Sequence, residues 1–78
     1  MIELIKFVVE TFAENPDKIV YDVTEDGSSV NVTVMLDKQD MGKVIGRQGK
    51  IAKALRTIVR AGAQKENKKY NIEIREQA

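Results

Sequence analysis

The sequence predicts an α+β fold in the order helix-strand-strand-helix-helix-strand, with one face of the sheet under helices and the other in water. Three observations predict it. Residues 2–14 place Ile5, Val8, Val9 and Phe12 at the i, i+3, i+4, i+7 spacing of an amphipathic helix. Residues 29–36 alternate, with Val30, Val32, Val34 and Leu36 facing one way and Asn31, Thr33 and Met35 the other, which is the period of a half-buried strand. From Lys50 onward the apolar residues return to helical spacing, and Tyr70-Asn71-Ile72-Glu73-Ile74-Arg75 alternates once more as a last strand.

The first helix carries Glu3, Lys6, Glu10 and Glu14 largely away from its apolar stripe. It ends at Asn15-Pro16, because the residue before proline is pushed out of the α region. Its stripe, with Phe7 as an additional contact, packs on the sheet or forms a dimer surface. Residues 18–24 read as a strand with Ile19, Tyr21 and Val23 on one side. Tyr21 has two readings, cross-strand packing or stacking on a base. Asp26-Gly27-Ser28-Ser29 is turn chemistry.

Asp37 through Asp40 offers oxygens to cap a short helix running to Ile45. Gly42 within so short a helix costs about 1 kcal/mol relative to alanine, which implies close approach by another surface, either a ligand or the next helix. On a helical wheel, the stretch from Lys50 puts Ile51, Leu55, Ile58, Val59 and Gly62 on a core side and Lys50, Lys53, Arg56 and Arg60 on a basic stripe. Gln64 to Lys69 reads as a polar loop in which Lys65, Lys68 and Lys69 add long-range attraction or solubility alone.

Between the two inner helices lies Gly46-Arg47-Gln48-Gly49. Glycine can take positive φ and lets a backbone approach another molecule closely. The helix beginning at Lys50 starts with N–H groups that have no internal partner, at the positive end of its dipole. Arg47 and Lys50 add mobile cations, so the site suits a phosphate. Val44 and Ile51 stand where a P-loop would need glycine and Ser or Thr, and Val44 also excludes a dinucleotide-binding fingerprint. Helix, Gly-x-x-Gly, helix remains, the arrangement by which KH domains clamp about four nucleotides by their backbone.

The run from Val44 through Gly46-Arg47-Gln48-Gly49 to Arg56 resembles the KH signature, and the chain from end to end resembles the small free-standing bacterial KH proteins of the KhpA type. It departs from the commonest KH pattern in having Ile51 two residues, and Ala52 three residues, after Gly49. The resemblance implies a type II KH fold with a three-stranded mixed sheet and helices packed on one face. It implies a cytoplasmic RNA-binding protein that self-associates or pairs with a KhpB (Jag, EloR) type partner. It further implies work as an RNA chaperone tied to cell elongation, envelope synthesis and division. Carried onto this chain, the backbone contacts fall to Gly46, Arg47, Gln48 and Gly49, with Lys43, Lys50 and Lys53 on phosphates. Val44, Ile45 and Ile51 would form an aliphatic groove for bases of single-stranded RNA.

Seventy-eight residues suit one domain. Without cysteine or histidine, disulfides, thiol nucleophiles and most zinc sites are excluded. No apolar run is long enough to span a bilayer, and the N-terminus lacks a signal peptide's features. The net charge is +1, but its distribution is dipolar. Residues 1–37 carry eight carboxylates against Lys6 and Lys18, whereas residues 38–60 carry seven cations against Asp40 alone. A positive half centred on the Gly-x-x-Gly element fits a phosphate binder.

These residues predict a non-enzymatic protein with no cofactor, metal or small-molecule substrate. Ser28 and Ser29 have no nearby base in sequence, and capping accounts for Asp37 and Asp40. The competing reading is a protein-protein module that uses the same scaffold without RNA.

Overall fold

The computed structural model describes residues 1–77. The elements run α1 (Ile2–Phe12), β1 (Val20–Asp26), β2 (Ser29–Leu36), α2 (Lys38–Ile45), α3 (Lys50–Glu66) and β3 (Lys69–Glu76), with single 3-10 turns at Pro16–Lys18 and Arg47–Gly49. The α+β order and the mixed sheet are those expected. The strands lie in the order β1-β2-β3. Val23 pairs with Val32 in the antiparallel β1–β2 ladder, and Val32 with Ile72 in the parallel β2–β3 ladder.

β2 is the central strand, and its alternation locates the core. Val30, Val32, Val34 and Leu36 are buried against Ile5 and Val9 of α1, Val44 of α2, and Leu55 and Val59 of α3. Burying side chains of this size stabilises by roughly 1.5–3 kcal/mol each. Ala52 and Ala63 complete the buried side of α3. The residue three after Gly49 is therefore a small core residue where many KH domains carry isoleucine.

Several expectations need correction. α3 does not stop before Gln64. Gln, Lys and Glu are good helix formers, so it continues to Glu66, where Asn67 takes the left-handed conformation (φ 56°) and the Lys68 N–H reaches back to Ala63 C=O at 3.2 Å. The stretch read as a loop is mostly helix, and only Asn67 and Lys68 connect it to β3. The first strand begins at Val20, since Pro16–Lys18 forms a 3-10 turn, and it continues to Asp26, which pairs with Ser29.

Phe12 and Ile58, counted with the apolar faces, are 43% and 44% exposed. α1 meets the core through buried Ile5 and Val9, with Ile2 and Val8 half-buried against it. Ile58 lies about 100° round the helix from Val59 and so misses the sheet. Gly42 has no heavy atom within 4 Å of where a Cβ would sit, so the next helix is not what approaches it.

Asp37 caps α2, its carboxylate accepting the Asp40 N–H at 3.0 Å. Asp40 does something else. It is 1% exposed, and its two carboxylate oxygens accept the N–H groups of Glu14 at 2.8 Å and Asn15 at 3.0 Å. The segment leaving α1 is thereby tied to α2. Removing this carboxylate leaves two N–H donors near the core without partners, at roughly 1–3 kcal/mol each. Asp40→Ala should therefore cost about 2–6 kcal/mol in chemical denaturation, and Asp40→Asn, which keeps one acceptor oxygen, should cost less.

Tyr21 sits on the helix side of β1 opposite Val34, with the Lys6 ammonium 5.3 Å from its ring centre. Its hydroxyl donates to Glu10 at 3.5 Å. Of its two readings, packing is the one realised. Partial burial first, then the Glu10 carboxylate, pushes its pKa up to about 12 from 10.0. The folded state thus holds the phenol proton more tightly than the unfolded chain. This contribution is complete below pH 10 and is lost as pH rises from 10 through about 12. A tyrosinate absorbance titration should show a step near pH 12 that Tyr21→Phe removes.

Candidate nucleic-acid interface

The bend between α2 and α3 is built from unusual backbone. Gly46 has φ 78° and ψ 175°, a region open essentially to glycine alone. A Cβ there would lie 2.8 Å from Ile51 Cγ1, so the position is closed to side chains twice over. Gln48 (φ 55°) and Gly49 (φ 73°) are both left-handed. Gln48 holds that conformation without being glycine, while a Cβ on Gly49 would meet nothing within 4 Å. The Gly46 N–H closes α2 on Gly42 C=O at 2.9 Å, and the Gly49 N–H turns back to Gly46 C=O at 3.2 Å.

The helix start beyond this bend is open. No side chain caps α3, and its first turn contains no acidic residue. Arg47, Gln48, Lys50 and Lys53 are exposed. Among the described residues, none of Arg47, Lys50, Lys53, Arg56 and Arg60 takes part in an ion pair. Uncompensated cations beside an uncapped helix N-terminus favour an anion.

The residues expected at the site divide into four groups. Gly46, Arg47, Gln48, Gly49, Lys50 and Lys53 stand together at the bend and first turn of α3. Ile45 and Ile51 are half-buried beside it. Val44 is corrected from groove wall to core: at 1% exposure it packs against the buried cluster and offers bases nothing. Lys43 is near the bend, but its ammonium is paired with the Glu14 carboxylate.

The bend alone is not the whole concavity. A groove of about 420 Å³ opens between α3 and the edge strand β3. Arg56 and Arg60 line it from α3, Lys68 from the connection and Lys69 from the start of β3, and Val59, Ala63 and Ile72 form its apolar floor. Lys68 also approaches Glu25 at 3.9 Å. Tyr70 and Asn71 line it from β3, but the Asn71 side-chain amide donates to Asn31 Oδ1 at 3.0 Å on the other face of the sheet, so the polar side chain on the groove side is that of Tyr70. The Tyr70 hydroxyl donates to Glu66 at 3.0 Å, and burial followed by that bond raises its pKa.

Sequence reasoning identified Arg56, Arg60, Lys68 and Lys69 as cations. It did not place Tyr70, Asn71 and Ile72 beside them, since only the crossover from α3 back to a parallel edge strand does that. The basic stripe of α3 joins groove and bend, Lys50 to Arg60 spanning about 15 Å at 1.5 Å per residue.

The chain is similar to known proteins over most of its length. The model of the KH domain of KhpA and KhpB matches residues 2–74. The RNA-binding protein KhpA of Listeria monocytogenes is 42% identical over 74 residues, 95% of this chain and 97% of that protein. The corresponding figures for KhpA of Caldanaerobacter subterraneus are 40% over 72 residues, 92% and 96%. For KhpA of Borreliella burgdorferi they are 38% over 73 residues, 94% and 89%.

The two loop glycines are not equivalent. Gly46→Ala should destabilise by about 2 kcal/mol or more through backbone strain and the Ile51 clash. Gly49→Asn, placing a residue tolerated in the left-handed region at an open position, should stay within about 1 kcal/mol. Paired thermal and urea melts of the two variants check this.

Proposed function

This chain belongs to the KH-domain family of KhpA and KhpB, and from that premise we propose that it binds single-stranded RNA by the sugar-phosphate backbone. The strand is gripped at Gly46-Arg47-Gln48-Gly49 and the N-terminus of α3. Arg47, Lys50 and Lys53 take phosphates there. The strand then follows the basic stripe into the α3–β3 groove, where Arg56, Arg60, Lys68 and Lys69 take further phosphates and Tyr70 and the aliphatic floor meet bases.

The observation that carries this reading is the open bend: left-handed backbone leading into an uncapped helix with no carboxylate in its first turn. Phosphate contacts fix position and carry no sequence information. Of the four aromatic residues only Tyr70 lines the groove, so stacking, worth about 1–3 kcal/mol per base, is sparse and sequence reading is weak.

Weak single-site binding calls for a second site, because linking two sites multiplies affinity when both engage. Exposed Leu4, Phe7 and Ile58 offer apolar surface for a second copy or a KhpB-type chain. We extend the proposal to RNA chaperone work in the bacterial cytoplasm, tied to elongation, envelope synthesis and division. A protein-protein module lacking RNA binding is the reading it displaces.

The test uses substitutions the fold accepts. Changing Gly46 and Gly49 together to Asp would strain the backbone at Gly46, so loss of binding could reflect loss of fold. Gly49→Asp alone puts a carboxylate at an open position facing the phosphate site. It should leave the melting temperature within a few degrees and weaken binding to a short oligouridylate at least about tenfold. Unchanged binding would support the protein-protein module instead.

A further inference from the structure

We propose that Glu14, by engaging Lys43, closes the α2 flank of the bend to phosphate and confines the RNA backbone to the α3 side. This rests on the reading of the bend as an RNA clamp, and it assigns a positioning role to a residue outside the Gly-x-x-Gly signature. Asp40 and Lys43 are three residues apart on α2 and so stand on one face, one turn above the other. Asp40 takes the Glu14 and Asn15 N–H groups at 2.8 and 3.0 Å, which fixes the Glu14 main chain over that face. The Glu14 carboxylate then falls on the Lys43 ammonium.

Most surface ion pairs are weak partly because two free side chains must be ordered. Here one partner springs from a main chain already held by a buried carboxylate. Lys43 lies three residues before Gly46, so with Glu14 removed it would stand close enough to the bend to take a phosphate.

The two flanks therefore differ in what they offer a polyanion. On the α2 side a phosphate meets a neutralised ammonium and a carboxylate. On the α3 side it meets Arg47, Lys50 and Lys53, none of them in an ion pair among the described residues, and the uncapped helix start. A strand arriving at the bend has one favourable track, and that track leads to the groove.

The experiment is a double-mutant cycle. Wild type, Glu14→Gln, Lys43→Ala and the double variant are titrated with an eight-nucleotide oligouridylate by fluorescence anisotropy at several salt concentrations, with thermal melts confirming that each is folded. Lys43→Ala unmasks the Glu14 carboxylate and should weaken binding modestly, about two- to threefold at low salt, while leaving the slope of the salt dependence unchanged, since no phosphate contact is lost. Glu14→Gln should tighten binding about three- to fivefold at low salt. It should also steepen the salt dependence by about 0.7, one further phosphate on a single strand. The double variant should return to wild type.

Three results overturn the inference while leaving the clamp reading intact. These are no gain with Glu14→Gln, a shallower salt dependence with Lys43→Ala alone, or an equal steepening of the salt dependence by Glu14→Gln whether or not Lys43 is present. Absence of binding by the wild type overturns both.

Discussion

The chain has to pass from α2 to α3 in four residues while keeping both helices on the same face of the sheet, and it does so with three of those four at positive φ. Such backbone is costly for ordinary residues, and it persists because packing on either side leaves no alternative. Val44 is locked into the core one turn before the bend, and Ala52 and Leu55 are locked in one turn after it. The Ile51 side chain fills the space a Cβ on Gly46 would need. What the strain produces is an exposed corner in which no side chain stands between the start of α3 and whatever approaches it.

Charge is distributed to suit that corner. Glu25 of β1 reaches Lys68 at the far end of the groove, and the carboxylates near the bend are occupied: Asp37 caps α2, Asp40 holds the Glu14 and Asn15 amides, and Glu14 holds Lys43. Each acidic group close to the site thus has a donor of its own. A net charge of +1 conceals this, because the quantity that matters for a polyanion is the local field at the corner and along α3, within about a Debye length of 8–10 Å.

Much of this was legible in the sequence, and the divisions are physical. The alternation of Val30 to Leu36 had to be a central strand, because four β-branched or aliphatic residues on one side of an eight-residue run have only one way to be buried together. The Gly-x-x-Gly spacing identified the bend because the rejected motifs needed glycine where Val44 stands. Long-range pairing was not legible. Nothing local to Asp40 says that its carboxylate serves amides 25 and 26 residues earlier, and capping was the nearest explanation available. The exposure of Ile58 and Phe12 escaped for a related reason: a wheel gives the angle of a residue about its own axis, but how wide a stripe the sheet covers depends on how the helices are set against it. The α3–β3 groove needed the parallel crossover that sets Tyr70 and Ile72 beside Arg56 and Arg60.

The character of the groove follows from what its walls lack. A surface that reads sequence strongly combines aromatic platforms with several fixed donors and acceptors aimed at base edges. This one has four cations, a floor of Val59, Ala63 and Ile72, and one tyrosine whose hydroxyl is already committed to Glu66. Cations on long side chains attract any phosphate within reach, and a smooth aliphatic floor accepts any base. On the proposed reading such a groove would hold RNA loosely, and salt would loosen it further. Loose hold suits the chaperone role proposed above, in which a strand must be let go so that it can rearrange, better than the marking of one transcript. On the same proposed reading the exposed apolar residues Leu4, Phe7 and Ile58 would matter by bringing a second groove alongside, which raises residence time without making either groove more selective.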